Sequence, residues 1–478
     1  MWACRERTSS NPSSATSSAI WSAGCSAALD AVTGWSVSSR WIRPSDMATD
    51  TSTDQAALLT KAALSARAAQ PALVAASPAT LAGTVRCIAD RLRASAAAVA
   101  EANAEDMKQA EAEGLEPKLV ARLDFGPEKI EQRAAVLEEI AELPSPLGFY
   151  EEHRSLSNGL RAGRMRTPLG VVAMVYEARA HVTLNAGALC LRSGNAAILK
   201  AGSEIGRTNA VLGKLWAEAL EAQGLPADAV QVLTAPGREV TAGLSEAAPH
   251  LDLVIPRGGK ALIQAVASQP GVPVIKHFEG NCNVYVDHGA DVAKAVRVII
   301  DGKVLMPAVC NATESVVIHA DAAKAVLPEL KAAMDQHGVE VRACERSREI
   351  IPGAAPATDE DFGTEYLDMI LSVKMVDDLD TAIEHINHYG SHHTDVIVTP
   401  WAESIRRFTN EVDSGVVLSN ASTMFCDGNT LGMGAEIGIS TDKLHARGPM
   451  GMTDLTTYKW VIEGDGHTMG DADWEGAS

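Results

Sequence analysis

The sequence predicts an α/β protein built on parallel sheets, and three observations carry that expectation. From residue 171 onward, short apolar runs alternate with helix-like segments. The runs are apolar throughout, not at every second residue, as in strands covered on both faces. A second stretch, from 283 to 420, repeats the alternation, and residues 53–142 ahead of both carry only helical spacing.

The elements follow in chain order. Leu81, Val85, Ile88 and Leu92 recur at spacings of four and three, with charged residues on the other face, which is the stripe of an amphipathic helix. Val136, Leu137, Ile140 and Leu143 continue the pattern until Pro144 and Pro146 break it. Residues 150–170 lack a strong apolar period and suit a hairpin or excursion. The first α/β block predicts strands at 171–177, 196–200, 230–234, 251–256 and 272–277, with helices at 181–193, 207–223, 239–247 and 258–268 between them. The second block predicts strands at 283–287, 314–319, 339–344, 369–376, 395–399 and 415–420. Its helices fall near 291–303, 321–336, 379–389 and 402–412. A last strand of alternating polarity spans 456–464. Open sheets of this kind bind ligands beyond strand carboxyl ends, so the first block is the candidate nucleotide-binding region.

Composition narrows the function. The 478 residues carry 41 Lys plus Arg against 61 Asp plus Glu, a net charge of −20. That balance excludes nucleic-acid binding by bulk positive charge, and 4% aromatics weaken a base-stacking role. Eight cysteines contain no CxxC pair, so neither a zinc ribbon nor a thioredoxin-type motif is present. Reduced, mostly buried cysteines are expected. The sequence contains no apolar run of about 18 residues, so no membrane span is expected. Residues 1–46 stand apart, with 12 Ser and four of the eight Trp. They read as a disordered or non-native leader, with Met47 the expected start in place of Met1; a targeting segment is the remaining alternative.

Four sets of residues stand out chemically. GxGxxG and Walker A motifs are absent, but two glycine-bearing strand-to-helix turns occur, at Lys200-Ala201-Gly202-Ser203 and at Arg257-Gly258-Gly259-Lys260. The free N–H groups of a helix start suit an anion there. Cys310 follows Pro307 in a short turn or helix start, where a helix N-terminus would lower its pKa and make it a nucleophile. The competing expectation is an inert buried thiol. His385 and His388 share a helix face, yet no cysteine or carboxylate completes a ligand set, so no metal is expected. The Gly-rich stretch 434–451 with His445 and Arg447 reads as an ordered substrate or interface loop.

Together the segments 171–200, IPRGGKALI (255–263), CNATES (310–315), 382–399 and 434–460 resemble the aldehyde dehydrogenase superfamily, and within it the branch that reduces an acyl phosphate. The resemblance covers roughly residues 60–465. It implies an aldehyde-dehydrogenase-like fold: two Rossmann-like doubly wound α/β domains plus a small β oligomerisation element. The implied boundaries are 47–149 and 167–278 for cofactor binding, 150–166 and 452–466 for oligomerisation, and 279–451 for catalysis. It makes Cys310 the catalytic nucleophile. It places Lys200, Ser203, Arg257, Gly258, Gly259 and Glu365 around the cofactor, and Arg179, Asn311, His445 and Arg447 around the substrate. The implied cofactor is NADPH/NADP, since Lys200 and the small Ser203 leave room for a 2′-phosphate.

The implied reaction is reduction of L-glutamyl 5-phosphate to L-glutamate 5-semialdehyde through a cysteine thioester, the second step of proline biosynthesis. The implied setting is a cytoplasmic homo-oligomer, dimer or tetramer, with transient contact to glutamate 5-kinase. Oxidising relatives carry a general-base Glu in an E-L-G-G-K segment; here KHFEGNCNVYVD (276–287) places His277 near that position and Glu279 two residues on. The chain departs from the branch's pattern at Ala180-His181, at Asn283 and at Met424, where an Arg is usual. Met424 supplies no charge-assisted bond to an anionic substrate. An oxidising aldehyde dehydrogenase for another semialdehyde and a non-catalytic paralogue remain the rival expectations.

Overall fold

The computed structural model describes residues 51–235, 243–271, 273–276 and 278–469. The leader, including Met47, lies outside the described residues, as does His277. The helical start forms five helices: α1 (Thr51–Ala75), α2 (Pro78–Ala94), α3 (Ala96–Ala112), α4 (Pro117–Leu123) and α5 (Pro127–Glu142). Ser77 caps α2 by accepting from the Thr80 N–H, with Pro78 in the first turn where its missing donor costs nothing. The predicted stripe Leu81, Val85, Ile88, Leu92 is buried. It belongs to one core with Ile130, Ala134, Leu137 and Ile140 of α5.

A hairpin follows, β1 (Tyr150–Ser155) and β2 (Arg161–Pro168). The last strand, β16 (Thr456–Glu463), returns to pair with β2 antiparallel, making a three-stranded sheet in the order β1-β2-β16. Between these ends the chain builds two parallel sheets. The first has the order β5-β4-β3-β6, from β3 (Val171–Tyr176), β4 (Ala196–Ala201), β5 (Val230–Leu233) and β6 (Leu253–Arg257). Helices α6 (Ala180–Arg192), α7 (Gly206–Ala222) and α8 (Lys260–Ala267) connect or follow them. Every residue of β3 and β4 is buried, which is why these strands lack polar alternation. Of the expected strand at 272–277, the described residues 273–276 hold one bridge, Val254 to Val274. Pro273 has no N–H with which to extend a ladder.

The second sheet has seven strands in the order β10-β9-β11-β8-β7-β12-β13. They are β7 (Cys282–Val286), β8 (Thr313–His319), β9 (Glu340–Ala343), β10 (Ala355–Pro356), β11 (Ile370–Val376), β12 (Thr394–Val398) and β13 (Val416–Ser419). Helices α9 (Val292–Val304) and α10 (Ala320–Gln336) pack on one face, burying Ala295, Ile299, Val326 and Leu330. Helices α11 (Leu379–Tyr389) and α12 (Ala402–Glu411) pack on the other, where Phe408 stacks on Tyr285 with centroids 6.3 Å apart. The sheet is therefore doubly wound. A two-stranded ribbon, β14 (Gly438–Ser440) with β15 (Gly448–Met450), completes the fold. Among the described residues no single helix is long and apolar enough to cross a membrane.

Candidate active site

The two parallel sheets bring opposite ends to one cavity. Glu177 and Arg179 follow the carboxyl end of β3, and Arg257 closes β6. Facing them are residues that precede strands of the larger sheet: Glu279 before β7, Cys310 before β8 and Glu365 before β11. The cavity measures about 480 Å³ and is lined by all six of these, with Gly258 and Gly259 among the remainder. Of the expected site residues it thus gathers Cys310, Arg179, Arg257, Gly258, Gly259 and Glu365.

Cys310 lies in a turn between α9 and β8, not at a helix start. The expected lowering of its pKa is accordingly corrected. Burial pushes the thiol up to about 11, the Arg257 guanidinium pulls it down, and the Glu436 and Glu365 carboxylates push it up again. The turn is held from below, where Cys282 Sγ donates to the Cys310 carbonyl at 3.3 Å. Gly280 passes so close that a Cβ there would sit 2.5 Å from the Cys310 carbonyl carbon. Its N–H donates to Glu365 Oε1 at 2.8 Å, so one residue touches both Cys310 and the Glu365 carboxylate. Burial raises the pKa of Glu365 and of Glu436.

An ion pair with no exposed side-chain surface, Lys303 Nζ to Glu314 Oε2 at 2.5 Å, joins α9 to β8. Glu314 Oε1 also accepts from the Leu367 N–H at 3.2 Å. Leu367 has φ +52° and stands two residues from Glu365, so the pair fixes a strained turn on the cavity wall. Nothing in local composition marks Lys303 as buried; the contact spans two elements.

The Gly258-Gly259 turn behaves as an oxyanion site already. The Gly259 N–H, at the start of α8, donates to Glu177 Oε2 at 2.9 Å. A Cβ on Gly258 would meet that same oxygen at 2.5 Å. Backbone without a side chain is therefore required for an anion to approach here. The sequence reading missed Glu177. Lys260 pairs with Glu279 at 2.6 Å, so Glu279 faces the cavity with its carboxylate already engaged.

The other expected residues sit elsewhere. Lys200 is the penultimate residue of β4, buried, with its pKa lowered by burial, and donates to the Ala201 carbonyl at 2.5 Å. Ser203 is exposed in the following turn. Neither lines the cavity. Asn311 turns its amide away, donating to the Cys426 carbonyl at 3.1 Å and the Met424 carbonyl at 3.4 Å. Arg447 is bound to Asp413 at 2.6 Å, and His445 Nε2 lies 2.6 Å from the Asp454 carbonyl. Asn283 is buried in β7, donating its amide to Asp395 at 2.9 Å. His385 is buried against Tyr389 and Phe362, with ring centroids 4.6 and 5.2 Å away.

A half-buried thiol between two parallel sheets, faced by arginines and a helix start, defines a cysteine-dependent dehydrogenase of the aldehyde type. The chain belongs to the aldehyde dehydrogenase family, whose model matches residues 42–350. Within that family it stands with the gamma-glutamyl phosphate reductases. It is 46% identical to the gamma-glutamyl phosphate reductase of Nitratidesulfovibrio vulgaris (strain DP4) over 402 residues, 84% of this chain and 96% of that protein. It is 46% identical to that of Syntrophomonas wolfei subsp. wolfei over 378 residues, 79% of this chain and 90% of that protein. The crystal structure of the Thermotoga maritima gamma-glutamyl phosphate reductase superposes with a TM-score of 0.83 at 38% identity, covering 86% of this chain and 99% of that one.

Proposed function

We propose that this protein reduces L-glutamyl 5-phosphate with NADPH, giving L-glutamate 5-semialdehyde, phosphate and NADP. The observation that carries the reading is Cys310 set opposite Arg179 and Arg257 in one cavity, a nucleophile beside cations that suit an anionic acyl donor. The names of the relatives support the same reaction.

The steps follow from these residues. The Cys310 thiolate, favoured by Arg257, attacks the acyl carbon; phosphate leaves and a thioester forms. Arg179 and Arg257 steady the negative charge of the departing phosphate. The Cys310 backbone N–H is the donor for the oxyanion that develops as the thioester carbonyl is reduced. Collapse of the resulting thiohemiacetal returns the thiol and frees the aldehyde. When bound, the nicotinamide supplies the hydride. The chain fits such a cofactor: the Gly258-Gly259 turn already accepts a carboxylate oxygen, and Lys200 with Ser203 stands at the neighbouring strand end. A phosphate at that turn displaces Glu177.

The four-stranded sheet and its helices form the cofactor side, and the seven-stranded sheet the catalytic side. The β1-β2-β16 sheet is the surface on which copies associate, since β16 offers an unpaired edge. The reaction serves proline synthesis in the cytoplasm. The deciding experiment is the reverse reaction, in which NADP reduction is followed with L-glutamate 5-semialdehyde and phosphate. Turnover that depends on phosphate is the expected result. Turnover with water alone would favour an oxidising dehydrogenase, and none at all would leave a non-catalytic paralogue.

A further inference from the structure

The catalytic cavity opens beside a second one that the reaction above leaves unused. It measures about 320 Å³, and Arg122 and Arg179 line both. Its wall adds Lys129, Arg133 and His181, with Asp124 as its carboxylate. These residues come from α4, α5 and the junction between them, and from the start of α6 with the residue before it, which the fold lays side by side.

The charges do not balance from within. Asp124 is taken by Lys129, with Nζ 2.7 Å from Oδ2. Arg122, Arg133 and Arg179 have no ion pair among the described residues. Arg133 and Arg179 are half-buried, and burial lowers both guanidinium pKa values. Burial pushes His181 down to about 4, and Arg133 and Arg179 add to the effect. It stays neutral at pH 7 and adds no further positive charge. Half-buried guanidiniums without partners are costly, and such groups in a cleft mark a binding site for the missing anion.

We propose that Arg133, with Arg122, binds the α-carboxylate of the substrate, so that this second cavity sets the preference for an amino-acid acyl chain. The proposal rests on the reductase reading above. The substrate brings an acyl phosphate and a carboxylate, and the cofactor brings its own phosphates. The acyl phosphate has to reach Cys310, and the cofactor phosphate suits the Gly258-Gly259 turn. The carboxylate at the far end of the substrate is the one left over. Arg179 lines both cavities and touches the route between them. The planar fork of Arg133 matches a carboxylate with two parallel hydrogen bonds, which a lysine would not reproduce.

The test uses the reverse reaction of the full chain with three five-carbon aldehydes: L-glutamate 5-semialdehyde, 5-oxopentanoate and pentanal. Only the first two carry the carboxylate. Losing a charge-assisted pair predicts that Arg133→Gln lowers the kcat/KM ratio of 5-oxopentanoate over pentanal by about 10- to 100-fold, mostly through KM. Arg133→Lys should recover part of it. Arg122→Gln, an exposed position that tolerates change, should move the ratio the same way by less. An unchanged ratio in Arg122→Gln and in a folded Arg133 variant would overturn the proposal. So would a raised KM for NADP with the aldehyde ratio intact, which would assign the cavity to the cofactor phosphate. Failure of the wild type on L-glutamate 5-semialdehyde alone, with 5-oxopentanoate still preferred over pentanal, would sink the reductase reading and uphold the carboxylate site.

Discussion

Gly280→Ala is the sharpest test of how Cys310 is positioned. The added Cβ would lie 2.5 Å from the Cys310 carbonyl carbon and 2.7 Å from its Cα, and closer still to its oxygen. Ordinary contact begins at 3.4 Å. The obstacle is backbone, so no rotamer change relieves it, and the strand entering β7 must part from the Cys310 turn by more than about 1 Å, since the carbonyl oxygen would lie only 1.7 Å from the added Cβ. A displacement of about 1 Å at a reacting atom costs on the order of 100-fold in rate. Overpacking of this kind costs about 1–3 kcal/mol of stability, which a chain of this size survives. Gly280 also donates to Glu365, so both sides of the cavity shift together. The assay is kcat for phosphate-dependent NADP reduction, with urea unfolding run in parallel. A folded variant whose kcat stays within twofold of wild type would refute the account of the turn.

Three further outcomes are expected. Cys310→Ala abolishes turnover and leaves the unfolding midpoint close to wild type; residual phosphate-dependent activity would remove the thioester from the mechanism. Lys303→Met strands Glu314 in a fully buried site and costs about 3–5 kcal/mol. Glu314→Gln costs a similar amount, because its single carboxamide oxygen cannot serve both Lys303 and the Leu367 N–H and the buried ammonium loses its counter-charge; a loss under about 1 kcal/mol for either variant in urea unfolding would contradict this. His385, pushed down to about 4 by burial, is neutral when folded and titrates near 6.5 when unfolded. Protonation thus favours the unfolded chain, and its contribution is lost as pH falls from about 6.5 toward 4, by at most about 1.4 kcal/mol per pH unit. His385→Phe should flatten that slope between pH 7 and pH 5; an unchanged slope would assign the acid sensitivity elsewhere.

Much of the fold was legible because its elements are locally overdetermined. The α2 stripe and the unbroken apolar runs of β3 and β4 state their own burial. The run at 272–277 misled because apolar content does not reveal that Pro273 lacks a donor. That Cys310 and the Arg257 turn belong to the candidate site was readable from motifs, since each is one contiguous segment, and both line the cavity. His445 and Arg447 share such a segment too, yet Asp413 and the Asp454 carbonyl hold them away from the cavity.

What the sequence determined by itself was therefore everything carried by local pattern: helices, parallel strands, the thiol and the glycine turn. Tertiary structure decided which charges meet. Only the packing of the two sheets sets Arg257 against Cys310 and raises the thiol by burial. Only the crossing of α9 with β8 makes Lys303 and Glu314 a pair. Only the packing of α4 and α5 beside the start of α6 puts Arg122 and Arg133 next to Arg179. Coulomb energy and desolvation depend on distance through space and on the water excluded, and neither is written in the order of residues along a chain.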